Sequence, residues 1–181
     1  MPLLLDRKRY EDYLTSIALD ISIALSLTGL VALKPQLFRF LSFRITLRDV
    51  VFAIVFAILG GNASLFLASF YHPAPLRPAA AAGLIIMSPV SPLLEEIGFR
   101  GIFFESLSRR YSLVTSILLS SFVFATFHVL FWPAMVGGIT LTCVYVMSRR
   151  SLSASAVAHI TWNLIVCWPV NVLLYTHYVA H

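Results

Sequence analysis

Charge is what this chain has least of. Only 12% of its 181 residues are charged, 59% are hydrophobic, and just eight are acidic. A mean hydropathy of +0.88 lies far above that of ordinary soluble domains, which excludes a typical water-soluble enzyme and a disordered regulatory segment. Cysteine is nearly absent. Cys143 and Cys167 both sit in apolar runs, so neither a disulfide framework nor a cysteine zinc cluster is supported, and both read as small hydrophobic filler. Neither a Gly-x-Ser-x-Gly elbow nor a His-Glu-x-x-His helix occurs. No internal repeat or low-complexity segment appears, and the expectation is one domain over residues 1–181. At the start, a short apolar piece precedes Arg7-Lys8-Arg9, the wrong order for a cleavable signal, so no segment is expected to be removed.

What is present is apolar length. A membrane-spanning helix needs about 20 apolar residues, and six segments approach this: 13–33, 50–70, 78–107, 113–131, 134–147 and 152–175. The fold class implied is all-α, a polytopic integral membrane helical bundle of about six transmembrane segments. Lys34, Arg39, Arg44 and Arg48 punctuate a stretch suited to lie at the interface. Gly60-Gly61 permits close helix approach, with Asn62 beside it as an interhelical hydrogen-bonding group, and Gly137-Gly138 suits a tightly packed fifth helix. Pro89 and Pro92 predict a broken third helix, because each removes a backbone donor and clashes with the preceding turn. Broken helices at membrane depth line cavities. Pro169 predicts a bend in the sixth helix.

The net charge of +5 comes in short clusters such as Arg109-Arg110 and Arg149-Arg150, which are membrane-edge anchors rather than a nucleic-acid surface. The loops after spans one, three and five collect Lys34, Arg39, Arg44, Arg48, Arg109, Arg110, Arg149 and Arg150, against Arg7, Lys8, Arg9 and Arg77 opposite. The larger group marks the cytoplasmic side.

Within this apolar chain, Glu95-Glu96-Ile-Gly-Phe-Arg100 places three ionisable groups together. Each such group at mid-membrane costs roughly 2.5 to 3.5 kcal/mol, so the fold must compensate them internally. On a helix, Glu96 and Arg100 at i and i+4 lie about 40° apart and can pair, while Glu95 points roughly 100° from Glu96. Glu96 is thereby neutralised, and Glu95 is left facing the space that Gly98 opens. A carboxylate so placed can act as a general base. The bland alternative is a structural ion-pair knot, which has no need of a second carboxylate.

Phe124 and His128 share a helix face at i and i+4, as do His159 and Asn163. A single histidine in an apolar helix is ordinarily an interior donor. Two of them, with a carboxylate pair and an amide in separate spans, point to an interior polar site. Glu95 with His128 can activate water, and His159 with Asn163 can donate to a tetrahedral oxyanion, so amide hydrolysis needs no serine or cysteine nucleophile. Ser91, Ser120, Ser121 and Ser155 read as packing or backbone-bonding hydroxyls. Glu105 is expected to pair with Arg109, Asp20 carries no motif, and His177 and His181 read as exposed.

The sequence of Glu-Glu-x-x-x-Arg, Phe-x-x-x-His and His-x-x-x-Asn in separate spans resembles the CPBP family, which groups CAAX prenyl endopeptidases of the Rce1 type with bacteriocin-processing and immunity (Abi) proteins. The resemblance covers about residues 89–163. It implies a glutamic intramembrane endopeptidase with Glu95 and His128 as the water-activating pair, His159 and Asn163 as the oxyanion-stabilising pair, and Glu96, Arg100 and Phe124 in support. No cofactor or metal is implied. The implied partners are the lipid bilayer and a membrane-associated peptide or protein substrate, such as a CAAX-like or C-terminal sorting segment or a peptide precursor. About six spans is fewer than the eight of the eukaryotic endopeptidases, which suits a minimal prokaryotic member in the plasma membrane. Three other readings compete: a metal-dependent membrane hydrolase with Glu95, His128 and His159 as ligands, a haem carrier ligated by the two histidines, and a non-catalytic immunity or interaction protein.

Overall fold

A computed structural model of the chain describes residues 42–70, 91–128 and 130–179, with backbone alone from residue 167. The expectations for the first span, Asp20, the third-helix break at Pro89, and the side chains of Cys167, His177 and His181 lie outside the described residues. Those residues form helices α1 (Leu47–Ala68), α2 (Ser91–Glu96), a π-helix (Ile97–Phe104), α3 (Glu105–Ser108), α4 (Leu113–Thr126), α5 (Phe131–Met147) and α6 (Leu152–Val179). Among them the fold is all-α, with one isolated parallel bridge between Ser42 and Ser151.

Helix α1 starts at a capping box: Thr46 accepts from the Asp49 amide at 3.2 Å, and the Asp49 carboxylate accepts from the Thr46 amide at 3.0 Å. Its buried stripe is Ala53, Ala57, Gly60, Gly61, Ser64 and Ala68, small residues at helical spacing. Its exposed face carries Leu47, Val51, Val55, Leu59 and Phe66. Small residues inside and large apolar residues outside are the pattern of a helix whose surroundings are lipid, where close backbone packing replaces the hydrophobic effect. This is the one helix among the described residues long and apolar enough to cross a membrane; Leu113–Thr126, Phe131–Met147 and Leu152–Val166 are shorter apolar stretches.

Helix α5 packs against α1, α4 and α6. Gly60 faces the Thr140 side chain, Gly137 faces Trp162, and Gly138 faces the Ser121 backbone, so the expected close approaches at both glycine pairs occur. Trp162 of α6 donates to Ser64 of α1 at 3.2 Å, and Ser64 donates to the Pro133 carbonyl of α5 at 3.0 Å. These bonds tie three helices at one depth. Asn62 departs from expectation: it is exposed and donates to Ile58 of its own helix at 2.7 Å.

Two boundaries also differ. Helix α4 ends at Thr126 rather than 131, and α5 begins at Phe131 rather than 134. Pro133 lies in the first turn of α5, where an amide proton is dispensable, and its ring would clash with the preceding turn of a continuous helix. His128 therefore sits in the turn between helices, not inside a span. Residues 91–108 run as successive helical segments, with Pro92 in the first turn and the π segment carrying Gly98 and Arg100. Helix α6 continues beyond Pro169 to Val179.

Candidate active site

Glu96, at the last residue of α2, is fully buried and is the hub of the polar interior. Its Oε1 accepts from Arg100 Nη1 at 2.9 Å and from His159 Nδ1 at 2.8 Å, and its Oε2 accepts from the Ser155 hydroxyl. Arg100, also fully buried, donates through Nη2 to the Gly138 carbonyl at 3.2 Å and lies over the Phe124 ring, 4.7 Å from its centroid. The i, i+4 pair expected from the sequence is thus formed, and it is joined to α5, α4 and α6. In a dry interior such multiple satisfaction is what allows two charges to remain, since each left alone costs several kcal/mol.

Glu95 has a different environment. Ser91 donates to its Oε1 at 2.5 Å, while its Oε2 is buried without a hydrogen-bond partner among the described residues and lies 3.8 Å from His159 Nε2. A side chain built on Gly98 would meet nothing within 4 Å among the described residues, so the helix is open on that side. The two adjacent carboxylates are therefore one satisfied and one open.

The histidines are oriented by their other nitrogens. His128 Nδ1 is 2.8 Å from the Phe124 carbonyl, which can only accept; the proton is on Nδ1 and the Nε2 lone pair is free. Its ring stacks on Phe124 at 4.3 Å between centroids and is within electrostatic reach of Glu95 and His159. His159, 1% exposed, has Nδ1 against Glu96, whose pairing with Arg100 keeps it an acceptor. Its Nε2 is the atom turned toward Glu95. Phe124 touches both rings, with 5.8 Å between its centroid and that of His159. Asn163, one turn beyond His159 on α6, is half-buried and stands outside this hydrogen-bonded set.

Six of the seven residues singled out from the sequence are thus joined, and Asn163 is placed along the same helix face as His159. One expectation needs correction. Ser91 and Ser155 are more than packing or backbone-bonding hydroxyls, since each bonds a carboxylate of the first motif, Ser155 lying also 3.1 Å from the Leu141 carbonyl. Their signal was readable: Ser91 is four residues before Glu95, and Ser155 four before His159, so each shares a helix face with a candidate residue. Glu105 bonds Tyr145 at 3.0 Å and Arg150 at 2.6 Å, contacts across helices that spacing along one helix does not disclose and that add to what its own helix offers. Among the described residues, no group of three or more His, Cys, Asp or Glu side chains is placed to hold a metal ion.

Residues 77–165 match the family model described as type II CAAX prenyl endopeptidase Rce1-like. The match contains Glu95, Glu96, Arg100, Phe124, His128, His159 and Asn163. No curated protein and no solved structure matches the chain.

Proposed function

Because residues 77–165 belong to the Rce1-like family of CAAX prenyl endopeptidases, we propose that the chain is a glutamic intramembrane endopeptidase that hydrolyses a peptide bond with water activated by Glu95 and His128. The observation that carries this reading is the difference between two adjacent carboxylates: Glu96 is saturated with donors, and Glu95 keeps one oxygen without a hydrogen-bond partner among the described residues.

Glu95 Oε2 accepts a proton from a water bound in the space beside Gly98, with His128 Nε2 as the second acceptor that orients that water. The water oxygen bonds to the carbonyl carbon of the scissile peptide. Negative charge then develops on the carbonyl oxygen, where the Asn163 amide and His159 Nε2 donate. Donation from Nε2 requires a proton there as well as on Nδ1, and once Glu95 has taken the water's proton the oxyanion itself is the counter-charge. As the C–N bond breaks, the proton held by Glu95 passes to the departing amine, giving one new carboxyl terminus and one new amino terminus. No metal is required. Glu96, Arg100 and Phe124 hold the histidine and the helix that carries Glu95.

The family implies a membrane-associated protein or peptide as substrate; the C-terminal segment of such a protein is the substrate we assign. The chain is read as one multi-pass domain of about six spans in a prokaryotic plasma membrane, with the end bearing Arg109, Arg110, Arg149 and Arg150 cytoplasmic. The test is cleavage of a membrane-anchored reporter peptide by the purified protein in proteoliposomes. Glu95→Gln and His128→Ala are expected to abolish cleavage without loss of expression, and wild-type activity is expected to survive a chelator. Full activity in Glu95→Gln removes the mechanism, and chelator sensitivity reversed by added zinc replaces it with metal-assisted hydrolysis.

A further inference from the structure

Two serine hydroxyls each occupy one oxygen of a different carboxylate. Ser91 donates to Glu95 Oε1 at 2.5 Å, which leaves Oε2 as the oxygen facing His159 Nε2. Ser155, fully buried, donates to Glu96 Oε2 and lies 3.1 Å from the Leu141 carbonyl, which leaves Oε1 for Arg100 and His159. Glutamate has a flexible stem and two equivalent oxygens, so without these donors either oxygen of either residue can take either place.

We propose that Ser91 and Ser155 are positioning residues that assign the two carboxylates their separate tasks: Ser91 turns the open oxygen of Glu95 toward the reacting water, and Ser155 locks Glu96 so that its other oxygen holds His159. This deepens the peptidase reading and rests on it. Ser91 lies one helical turn from Glu95 on α2, whereas Ser155 reaches Glu96 across helices from α6, one turn before His159.

The test is steady-state cleavage of the same reporter by Ser91→Ala, Ser155→Ala, Ser91→Thr and Ser116→Ala, with thermal unfolding of each. Ser116 is a suitable control because it is buried and donates only to the Ser112 carbonyl of its own helical turn. Ser91→Ala is expected to lower kcat by about 10- to 100-fold at unchanged KM and unchanged Tm, and Ser155→Ala to lower kcat on the same scale at unchanged KM with a lower Tm, because Glu96 Oε2 is left buried without its donor. Ser91→Thr restores the hydroxyl and is expected to restore kcat, while Ser116→Ala behaves as wild type. Wild-type kcat in both alanine variants, or a loss in Ser91→Ala that follows Tm and is not rescued by threonine, overturns the assignment while leaving an inactive Glu95→Gln to support the peptidase. An active Glu95→Gln overturns both.

Discussion

Removing the carboxylate of Glu96 leaves the Arg100 guanidinium fully buried without its counter-charge and His159 without its Nδ1 acceptor. Breaking a buried pair from one side costs about 3 to 5 kcal/mol, so Glu96→Gln is expected to lower Tm strongly in detergent and to lose activity with it. Glu95→Gln, at a side chain 20% exposed with one oxygen unpartnered, is expected to unfold close to the wild-type temperature while being inactive. Equal destabilisation of the two variants removes the division between supporting and reacting carboxylates. Asn163→Ala is expected to lower kcat by about 10²- to 10³-fold with KM unchanged, the effect of deleting one oxyanion donor, measured on the same reporter. At this scale the sequence was informative because i, i+4 spacing decides which side chains of one helix meet. It places Glu96 on Arg100 and His128 on Phe124. It does not place His159 on Glu96, because those residues approach only when α6 packs against α2.

The helix that carries the first motif is α-helical to Glu96 and π-helical from Ile97 to Phe104. A π segment widens the turn, and such segments recur at functional sites. Here it carries Gly98 on an open side and Arg100 toward Gly138 of α5. Gly98→Ala therefore meets no neighbour and is expected to be neutral or to stabilise by up to about 1 kcal/mol through lower backbone entropy. Gly138→Ala places its Cβ 3.0 Å from Ser121 Cα, and backbone cannot yield as a side chain can. It is expected to cost about 1 to 3 kcal/mol by overpacking, read as a drop in Tm. A neutral Gly138→Ala contradicts the α4–α5 packing that seats Phe124 beneath Arg100. The existence of these helices was legible from apolar length, but their ends were less so. Between 113 and 131 neither proline, glycine nor a charged Asp, Glu, Lys or Arg interrupts the apolar character, and the turn at His128 depends on Pro133, whose effect reaches back into the preceding turn.

Among the described residues, large apolar side chains face outward: Leu47, Leu59, Phe66, Val114, Phe127 and Trp132 are all more than half exposed. In water so much apolar surface drives association; in a bilayer it is the lipid-facing surface. The protein is expected to stay in the membrane pellet through carbonate and high-salt washes and to be released by detergent, and recovery in the carbonate supernatant would contradict that surface. At one end, Arg150 meets Glu105, Leu152 donates to the Ser42 carbonyl at 2.7 Å, and Ser153 donates to the Phe43 carbonyl at 2.8 Å. These contacts bring the start of α1, the start of α3 and the α5–α6 turn together, so that Arg44, Arg48, Arg149 and Arg150 share that end. The sequence by itself determined the helical class, the apolar exterior and the residue types of the site, because hydropathy and helical period are local properties. Only the tertiary structure decided that Glu96 also receives His159 and Ser155, and that Glu95 Oε2 faces His159 Nε2. Those donors come from another helix, and their distances exist only after packing.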